Sequence, residues 1–213
     1  MTHTYFSKEH IQESERVRRL NMINSVSGIK PANLIGTCSL EKKDNLAIFS
    51  SVVHLGSNPA LFGFILRPTG EVRRDTYENI LSTGIYTINA VPEHLIVNAH
   101  YTSAKFENAI SEFERCDIKK VYRNEFAAPY VMESPIAMGL SFIEEIPIKS
   151  NGTRLIVGSV EHLYIADGLI NNEGYVNLDQ ANIVGIGGLN SYYELSHKED
   201  HPYARVVEVP TFN

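Results

Sequence analysis

The segments that decide the fold lie between Asn45 and Val91 and read N-L-A-I-F-S-S-V (45–52), S-N-P-A-L-F-G-F-I-L (57–66), R-R-D-T-Y-E-N-I (73–80) and T-G-I-Y-T-I-N-A-V (83–91). Two apolar runs, 46–53 and 61–66, have strand length and flank a turn of Gly, Ser, Asn and Pro. A helix begins at Asp75 or Thr76, because Asp75 and Glu78 have the spacing of a capping box. Gly84 ends this helix and a strand follows, so the order is strand, turn, strand, basic loop, helix, strand.

The rest of the chain predicts further strands with helices inserted between them. Apolar residues recur at helical spacing over 7–25, which predicts one or two helices before a strand at 32–39. Short helices at 94–104 and 111–115 precede a hairpin of two long strands, and a last strand region covers 182–193. The βαβα alternation of a doubly wound sheet is missing. We therefore predict a mainly β chain with inserted helices, folded as one antiparallel barrel or sandwich.

Length and composition exclude several classes of protein. The chain has 213 residues and no linker, so we predict a single domain over 1–213, with a helical N-terminal arm at 1–28 and a C-terminal arm at 196–213. A net charge of −6 argues against nucleic-acid binding. No apolar run has the length of a signal peptide core or a membrane span. We expect a cytoplasmic protein that binds neither nucleic acid nor a membrane.

The metal-ligating residue types form no site pattern. Cys38 and Cys116 are the two cysteines, and they stand far apart without the spacing of a metal site or a disulfide framework. The eight histidines are scattered and do not combine with carboxylates at ligand spacing. No metal site is therefore expected.

The basic loop before the helix suggests an anion site. Arg73 and Arg74 stand directly before the helix start, where free N–H groups and the positive end of the helix dipole favour negative charge. Thr76 adds a hydroxyl in the first turn. The alternative interpretation is a solvated arginine pair that balances Asp75 and Glu71, and the loop alone leaves both open.

The serine pair in the predicted strand 46–53 suggests a polar contact beside an apolar surface. Ser50 and Ser51 interrupt an apolar run, and buried hydroxyls need partners. One of them could face a ligand. Alternatively, one hydroxyl lies in solvent and the other bonds to a neighbouring strand. No nucleophile elbow or carboxylate pair accompanies them. An anion clamp beside an apolar shelf, without catalytic side chains, points to a phosphorylated organic cofactor that brings its own chemistry.

A series of segments, in order along the chain, carries a resemblance to a known family. They are Lys30-Pro31, Asn45-Leu46-Ala47 with Ser50, Ser57-Asn58-Pro59, Arg74-Asp75-Thr76 with Asn79-Ile80, Thr83-Gly84-Ile85, Asn98 with Thr102-Ser103 and Glu112-Phe113-Glu114, and Gly187-Gly188 with Tyr192-Tyr193. Together they resemble the flavin reductase-like family with an FMN-binding split barrel, which includes flavoredoxin-like proteins. Gly185 departs from the family pattern, because an arginine often precedes the late glycines.

The resemblance implies an antiparallel Greek-key split β-barrel that forms a homodimer and binds FMN, or FAD, near the subunit interface. The implied flavin contacts are Ser50, Ser51 and Val52 at the ring or ribityl chain, Arg73, Arg74 and Thr76 at the phosphate, Thr37 and Cys38 along the ring pocket, and Asn98. The implied reaction is hydride transfer from NADH or NADPH to the flavin. The catalytic side chains stay unknown, since the flavin carries the reactivity.

Two other functions are compatible with the same residues. A non-enzymatic electron carrier would use the same fold and the same flavin. A β-barrel binding module for another phosphorylated ligand would need the anion clamp but no redox chemistry.

Overall fold

The computed structural model describes residues 1–68, 74–107 and 110–212. The α-helices are α1 (Lys8–Glu13), α2 (Arg16–Ser25), α3 (Asp75–Thr83), α4 (Ile96–Tyr101) and α5 (Glu112–Arg115). The strands are β1 (Lys30–Pro31), β2 (Asn33–Cys38), β3 (Asp44–Phe49), β4 (Val52–Ser57), β5 (Ala60–Leu66), β6 (Ile85–Ala90), β7 (Lys120–Val121), β8 (Tyr130–Val131), β9 (Ile136–Ile148), β10 (Thr153–Ile165), β11 (Val184–Gly187) and β12 (Ser191–Glu194). The predicted N-terminal helices, insert helices and long hairpin are confirmed.

The main sheet curls until its two edges meet. Its order is β3-β2-β6-β9-β10-β5-β4, and each neighbouring pair is antiparallel. The edge strands β3 and β4 are consecutive in the chain, separated by Ser50 and Ser51 alone. Three residue steps span at most about 11 Å, so the end of β3 and the start of β4 must lie close together. The chain leaves β5 beside β10 and returns as β6 between β2 and β9, which is a Greek-key crossing. The predicted antiparallel, mainly β architecture is confirmed.

The joint between β3 and β4 corrects one predicted boundary. A single strand was expected over 46–53, whereas the strand breaks at Ser50–Ser51. The Ile65 N–H lies 3.3 Å from both the backbone oxygen and the Oγ of Ser51, and the Ser51 hydroxyl donates to the Ile65 carbonyl at 3.2 Å. The side chain thus supplies bonds that a regular ladder would otherwise make, while the strand turns a corner.

Apolar side chains on both faces of β2 hold the fold together. All six residues of β2 are buried, and successive side chains point to opposite faces. Ile35 belongs to the barrel interior, a cluster of Ile35, Phe64, Leu66, Ile80, Tyr86, Ile88, Leu140 and Ile156. Leu34 faces the other way, into a cluster that includes Leu46, Val91, Leu95, Phe113 and Ile186. The second cluster attaches the insert helices and β11 to the barrel.

Helix α3 carries the crossing from β5 to β6. Its residue Ile80 is fully buried in the barrel interior, and Gly84 ends the helix with a left-handed φ of 73°. Arg74 occupies the N-cap position and Asp75 is the first helical residue, so the predicted capping box with Asp75 as cap is wrong. The consequence is that the Arg74 side chain starts at the positive end of the helix.

The two arms are largely exposed. In the fully described stretch 1–29, neither α1 nor α2 contains a buried residue. The C-terminal arm is likewise exposed, with its apolar side chains Tyr203, Val206, Val207 and Phe212 in solvent. The domain boundaries at 1–28 and 196–213 stay a prediction. Within the described ranges, the helices are all too short or too polar to cross a bilayer.

Candidate functional site

A cavity of about 710 Å³ lies at the joint between β3 and β4. Parts of β3, the joint and the end of β5 form one side, and the start of α3 forms another. The end of α4, the loop after it, the start of α5, β11 and the β11–β12 turn complete it, through His100, Thr102–Phe106, Glu112, Ile186, Leu189 and Asn190. The cavity therefore draws its walls from segments that are far apart in sequence.

One end of the cavity is suited to an anion. Arg74 and Thr76 line it at the N-terminus of α3, where the helix dipole is positive. The Arg74 Nε is buried, and no hydrogen-bond partner for it is found in the described part of the chain. Buried polar groups are normally paired, so this N–H fits an acceptor supplied by a ligand. Arg67 and Lys105 add positive charge to the lining.

The other end of the cavity is apolar with a polar edge. Ile48 and Phe49 of β3 and Leu189 after β11 offer apolar surface beside Ser50 and Ser51. The Ser50 hydroxyl has no hydrogen-bond partner among the described residues, whereas the Ser51 hydroxyl bonds Ile65. Ser51 is thus the serine that bonds to a neighbouring strand, and the Ser50 hydroxyl is available to a ligand.

A buried polar network ties β3 to the first turn of α3. The Asn45 Nδ2 lies 3.0 Å from the Thr76 Oγ1 and 3.2 Å from the Thr37 Oγ1. The Asn79 Nδ2 donates to the same Thr37 oxygen at 3.1 Å. Because both asparagines and both threonines are buried, these bonds fix the position of the helix start against the sheet.

Two carboxylates also line the cavity. Glu112 of α5 and Asp75 both line the cavity, and the Glu112 Oε2 accepts the Leu46 N–H at 3.1 Å. Burial raises the pKa of the Glu112 carboxyl above its ordinary value, and repulsion from Asp75 acts in the same direction, while the Leu46 bond opposes it. Burial and Asp75 thus make ionisation of Glu112 less favourable here than in water.

His100, which lines the cavity, contacts the side chain of Tyr192. The His100 Nδ1 lies 3.1 Å from the Tyr192 hydroxyl, and the two rings meet edge to face at 5.9 Å. Burial raises the pKa of Tyr192, so this hydroxyl keeps its proton. The pair links the end of α4 to β12 and orients the His100 ring beside the cavity.

The predicted site residues fall into two groups. Ser50, Ser51, Arg74 and Thr76 come together around the cavity. Arg73 lies outside the described residues. The other predicted contacts, which are not among the residues that line the cavity, are Thr37, Cys38, Val52 and Asn98.

Each of those four side chains has a neighbour elsewhere in the described structure. Thr37 sits behind Asn45 and Thr76, and Val52 packs against the barrel interior. The Asn98 Nδ2 donates to the Cys116 carbonyl at 2.8 Å. Cys38 lies beside the Asp44 carboxylate, and burial together with Asp44 raises the pKa of its thiol.

Asn45, His100 and Glu112 are cavity residues that sequence reasoning did not select. Asn45 and Glu112 stand inside segments that already carried the family resemblance, so their polar side chains were a usable signal. His100 had no such signal, because its Tyr192 partner is 92 residues away.

The raised pKa of Glu112 makes stability depend on pH. The folded state holds this proton more tightly than the unfolded state, so the ionised carboxyl costs stability once the pH rises from the unfolded pKa, about 4.3, through the folded pKa. Glu112→Gln, which keeps an acceptor for the Leu46 N–H, should stabilise the protein at about pH 8 and have little effect at about pH 4. Urea unfolding at both pH values measures this. The exposed Glu114→Gln, in the same helix, is the control, and an equal effect of Glu112→Gln at both pH values would contradict the account.

Comparison with known proteins identifies the family. The flavin reductase like domain matches residues 28–180. A split-barrel protein of the flavin reductase type from Shewanella frigidimarina NCIMB 400 is 40% identical, with a TM-score of 0.91 over 95% of this chain and 100% of that chain.

Two more distant structures share the fold. Nitrilotriacetate monooxygenase component B from Bacillus cereus is 18% identical, with a TM-score of 0.82 over 94% of this chain and 100% of that chain. An FMN-binding protein from Thermus thermophilus is 16% identical, with a TM-score of 0.69 over 82% of this chain and 91% of that chain. Because the family match covers more than half of the chain, this chain belongs to the flavin reductase-like family and has its split-barrel fold.

Proposed function

We propose that this chain is an FMN-binding oxidoreductase that transfers hydride from NADH or NADPH to the flavin. The observation that carries the proposal is one cavity, in a member of the flavin reductase-like family, that is lined by apolar side chains and by Arg74, whose buried Nε has no hydrogen-bond partner among the described residues. Its volume, about 710 Å³, lies within the usual range of small-molecule sites.

The residues present fit a flavin mononucleotide. Arg74 and Thr76 would hold the phosphate, with Arg73 as a further proposed contact in the same loop. Ser50 would meet the polar edge of the ring system, and Ile48 and Leu189 would cover its apolar surface. FAD is the alternative flavin, and it would have to place its adenylate half outside this cavity.

In the proposed reaction the protein binds, orients and excludes water. Bound flavin would supply the hydride acceptor, which no side chain can replace. The anion clamp would hold one end of the ligand and the β3–β4 joint the other, which would fix the orientation of the bound molecule. Apolar walls exclude water from the transfer. Hydride transfer to the flavin itself requires no general acid or base from the side chains.

A homodimer is part of the proposal. Exposed apolar side chains occur on the N-terminal arm (Val17, Ile23), on the C-terminal arm (Val206, Val207) and on the barrel (Val53, Leu55, Ile146). Large exposed apolar surfaces commonly mark protein contacts, and a second copy would cover them. Light scattering of the purified protein should give twice the chain mass of 23.9 kDa. A protein that is monomeric at micromolar concentration would overturn the proposed homodimer.

Flavin binding tests the anion clamp. Removing a hydrogen bond to a charged group costs about 1.5–3 kcal/mol, so Arg74→Ala should weaken FMN affinity roughly 10- to 100-fold. Riboflavin lacks the phosphate, and its affinity should hardly change. Quenching of flavin fluorescence measures both, with FAD titrated alongside. Arg16→Ala, an exposed arginine on α2, is the control. A protein that binds no flavin, or an Arg74→Ala variant that binds FMN as tightly as the unmodified protein, would contradict the assignment.

Turnover separates the three candidate functions. The reductase should oxidise NADH or NADPH when FMN is added, at a rate well above that of free FMN. An electron carrier would bind FMN without such turnover, and a binding module for another ligand would not bind flavin. We further propose that the protein acts in the cytoplasm, where its buried, unpaired thiols Cys38 and Cys116 would stay reduced.

A further inference from the structure

We propose that Asn45 is a positioning residue that sets the direction of the Thr76 hydroxyl and so gives the cavity its preference for a phosphorylated flavin. The inference rests on the proposed flavin function and adds a residue and a specificity to it. The residues concerned are Thr37, Asn45, Thr76 and Asn79, which we call the amide–hydroxyl cluster.

Counting donors in the amide–hydroxyl cluster gives the direction of the hydroxyl. The Asn45 side-chain amide has two hydrogens, and it directs them to the oxygens of Thr37 and Thr76. The Thr76 oxygen is therefore an acceptor, and its one hydrogen must be donated to another group. No acceptor for that hydrogen is found among residues 1–68, 74–107 and 110–212. The cavity adjoins Thr76, so a ligand bound there can accept this hydrogen.

The surrounding structure holds Asn45 in this arrangement. Thr37 and Asn45 are directly paired residues of β2 and β3, which keeps their side chains on one face of the sheet. The Thr37 oxygen also receives the Asn79 amide from the middle of α3. Thr76 is only 6% exposed and Asn45 only 9%, so water cannot readily replace these bonds. Turning the Asn45 amide over would present its oxygen to both threonines and would remove the donor to Thr76.

A fixed hydroxyl donor distinguishes a phosphate from a terminal alcohol. A phosphate oxygen is an acceptor only, and its charge strengthens the bond it receives. The terminal hydroxyl of riboflavin gains only a neutral hydrogen bond, which is about half as strong. Thr76, oriented by Asn45, thus favours the phosphorylated flavin together with Arg74.

A double-mutant cycle tests the inference, with FMN and riboflavin dissociation constants as the readouts. Asn45→Ala and Thr76→Val should each weaken FMN binding about ten-fold and riboflavin binding only about three-fold, because the bond lost with riboflavin is about half as strong. Since both remove the same donor bond, the double variant should be no worse than either single variant. Thr76→Ser keeps the hydroxyl and should keep the FMN preference.

Two further variants protect the test against simple unfolding. Asn45→Asp keeps the shape of the side chain but accepts the Thr76 hydrogen, so it should lose the FMN preference as well. Asn33→Ala is the control. It removes a buried asparagine of β2 that lies outside the amide–hydroxyl cluster, and it should leave the ratio of the FMN and riboflavin dissociation constants unchanged.

The outcomes are distinct. Additive losses of about a hundred-fold in the double variant, or equal losses for riboflavin, would overturn the role of Asn45. An unmodified protein that prefers FMN and loses the preference with Arg74→Ala but not with Asn45→Ala would overturn this inference alone. An unmodified protein that binds neither flavin would overturn the proposed function, and this inference with it.

Discussion

The two-residue joint between β3 and β4 is the constraint on which the site depends. It brings the two edges of the main sheet together through the covalent chain, without a ladder between β3 and β4 in the described structure. Ser51 compensates by bonding Ile65 with both its backbone and its side chain. The opening that remains becomes the cavity, because a fully laddered barrel would have closed it. The crossing after β5 then brings the start of α3 to this same opening.

Electrostatics at the cavity differ from those of the chain as a whole. The net charge is −6, yet Arg67, Arg74 and Lys105 line the cavity together with the two carboxylates Asp75 and Glu112. Charges interact more strongly in a partly buried cavity than in water, so the local balance decides which ligands bind. Burial raises the pKa of Glu112, so its ionised form is less favourable in this cavity than in water.

Much of the fold could be predicted from the sequence, because its signals are local. Apolar runs and turn residues located the strands and the β9–β10 hairpin, and Gly84 marked the end of α3. The break at Ser50–Ser51 could not be predicted, since the Ile65 contacts that stabilise it are 14 residues away. Arg74 as the N-cap residue was missed because the Asp75–Glu78 spacing favours the next position.

The site could be predicted in outline only. The basic helix start and the serine pair lie together as expected, since motif and resemblance pointed to the same residues. Long-range partners hid the rest: Asn45 bonds Thr76 across 31 residues, and Glu112 accepts the Leu46 N–H across 66. Thr37 shows a different limit. Strand alternation indicates two faces, but not which side chain is shielded from a cavity by its neighbour.

A crystal structure of the protein with FMN bound would test whether the cavity at the β3–β4 joint holds the flavin. Phosphate oxygens are expected at hydrogen-bond distance, about 3 Å, from the Arg74 guanidinium and the Thr76 hydroxyl, with the ring system beside Ser50. A flavin bound outside this cavity, or one whose ring rather than phosphate contacts the start of α3, would contradict it.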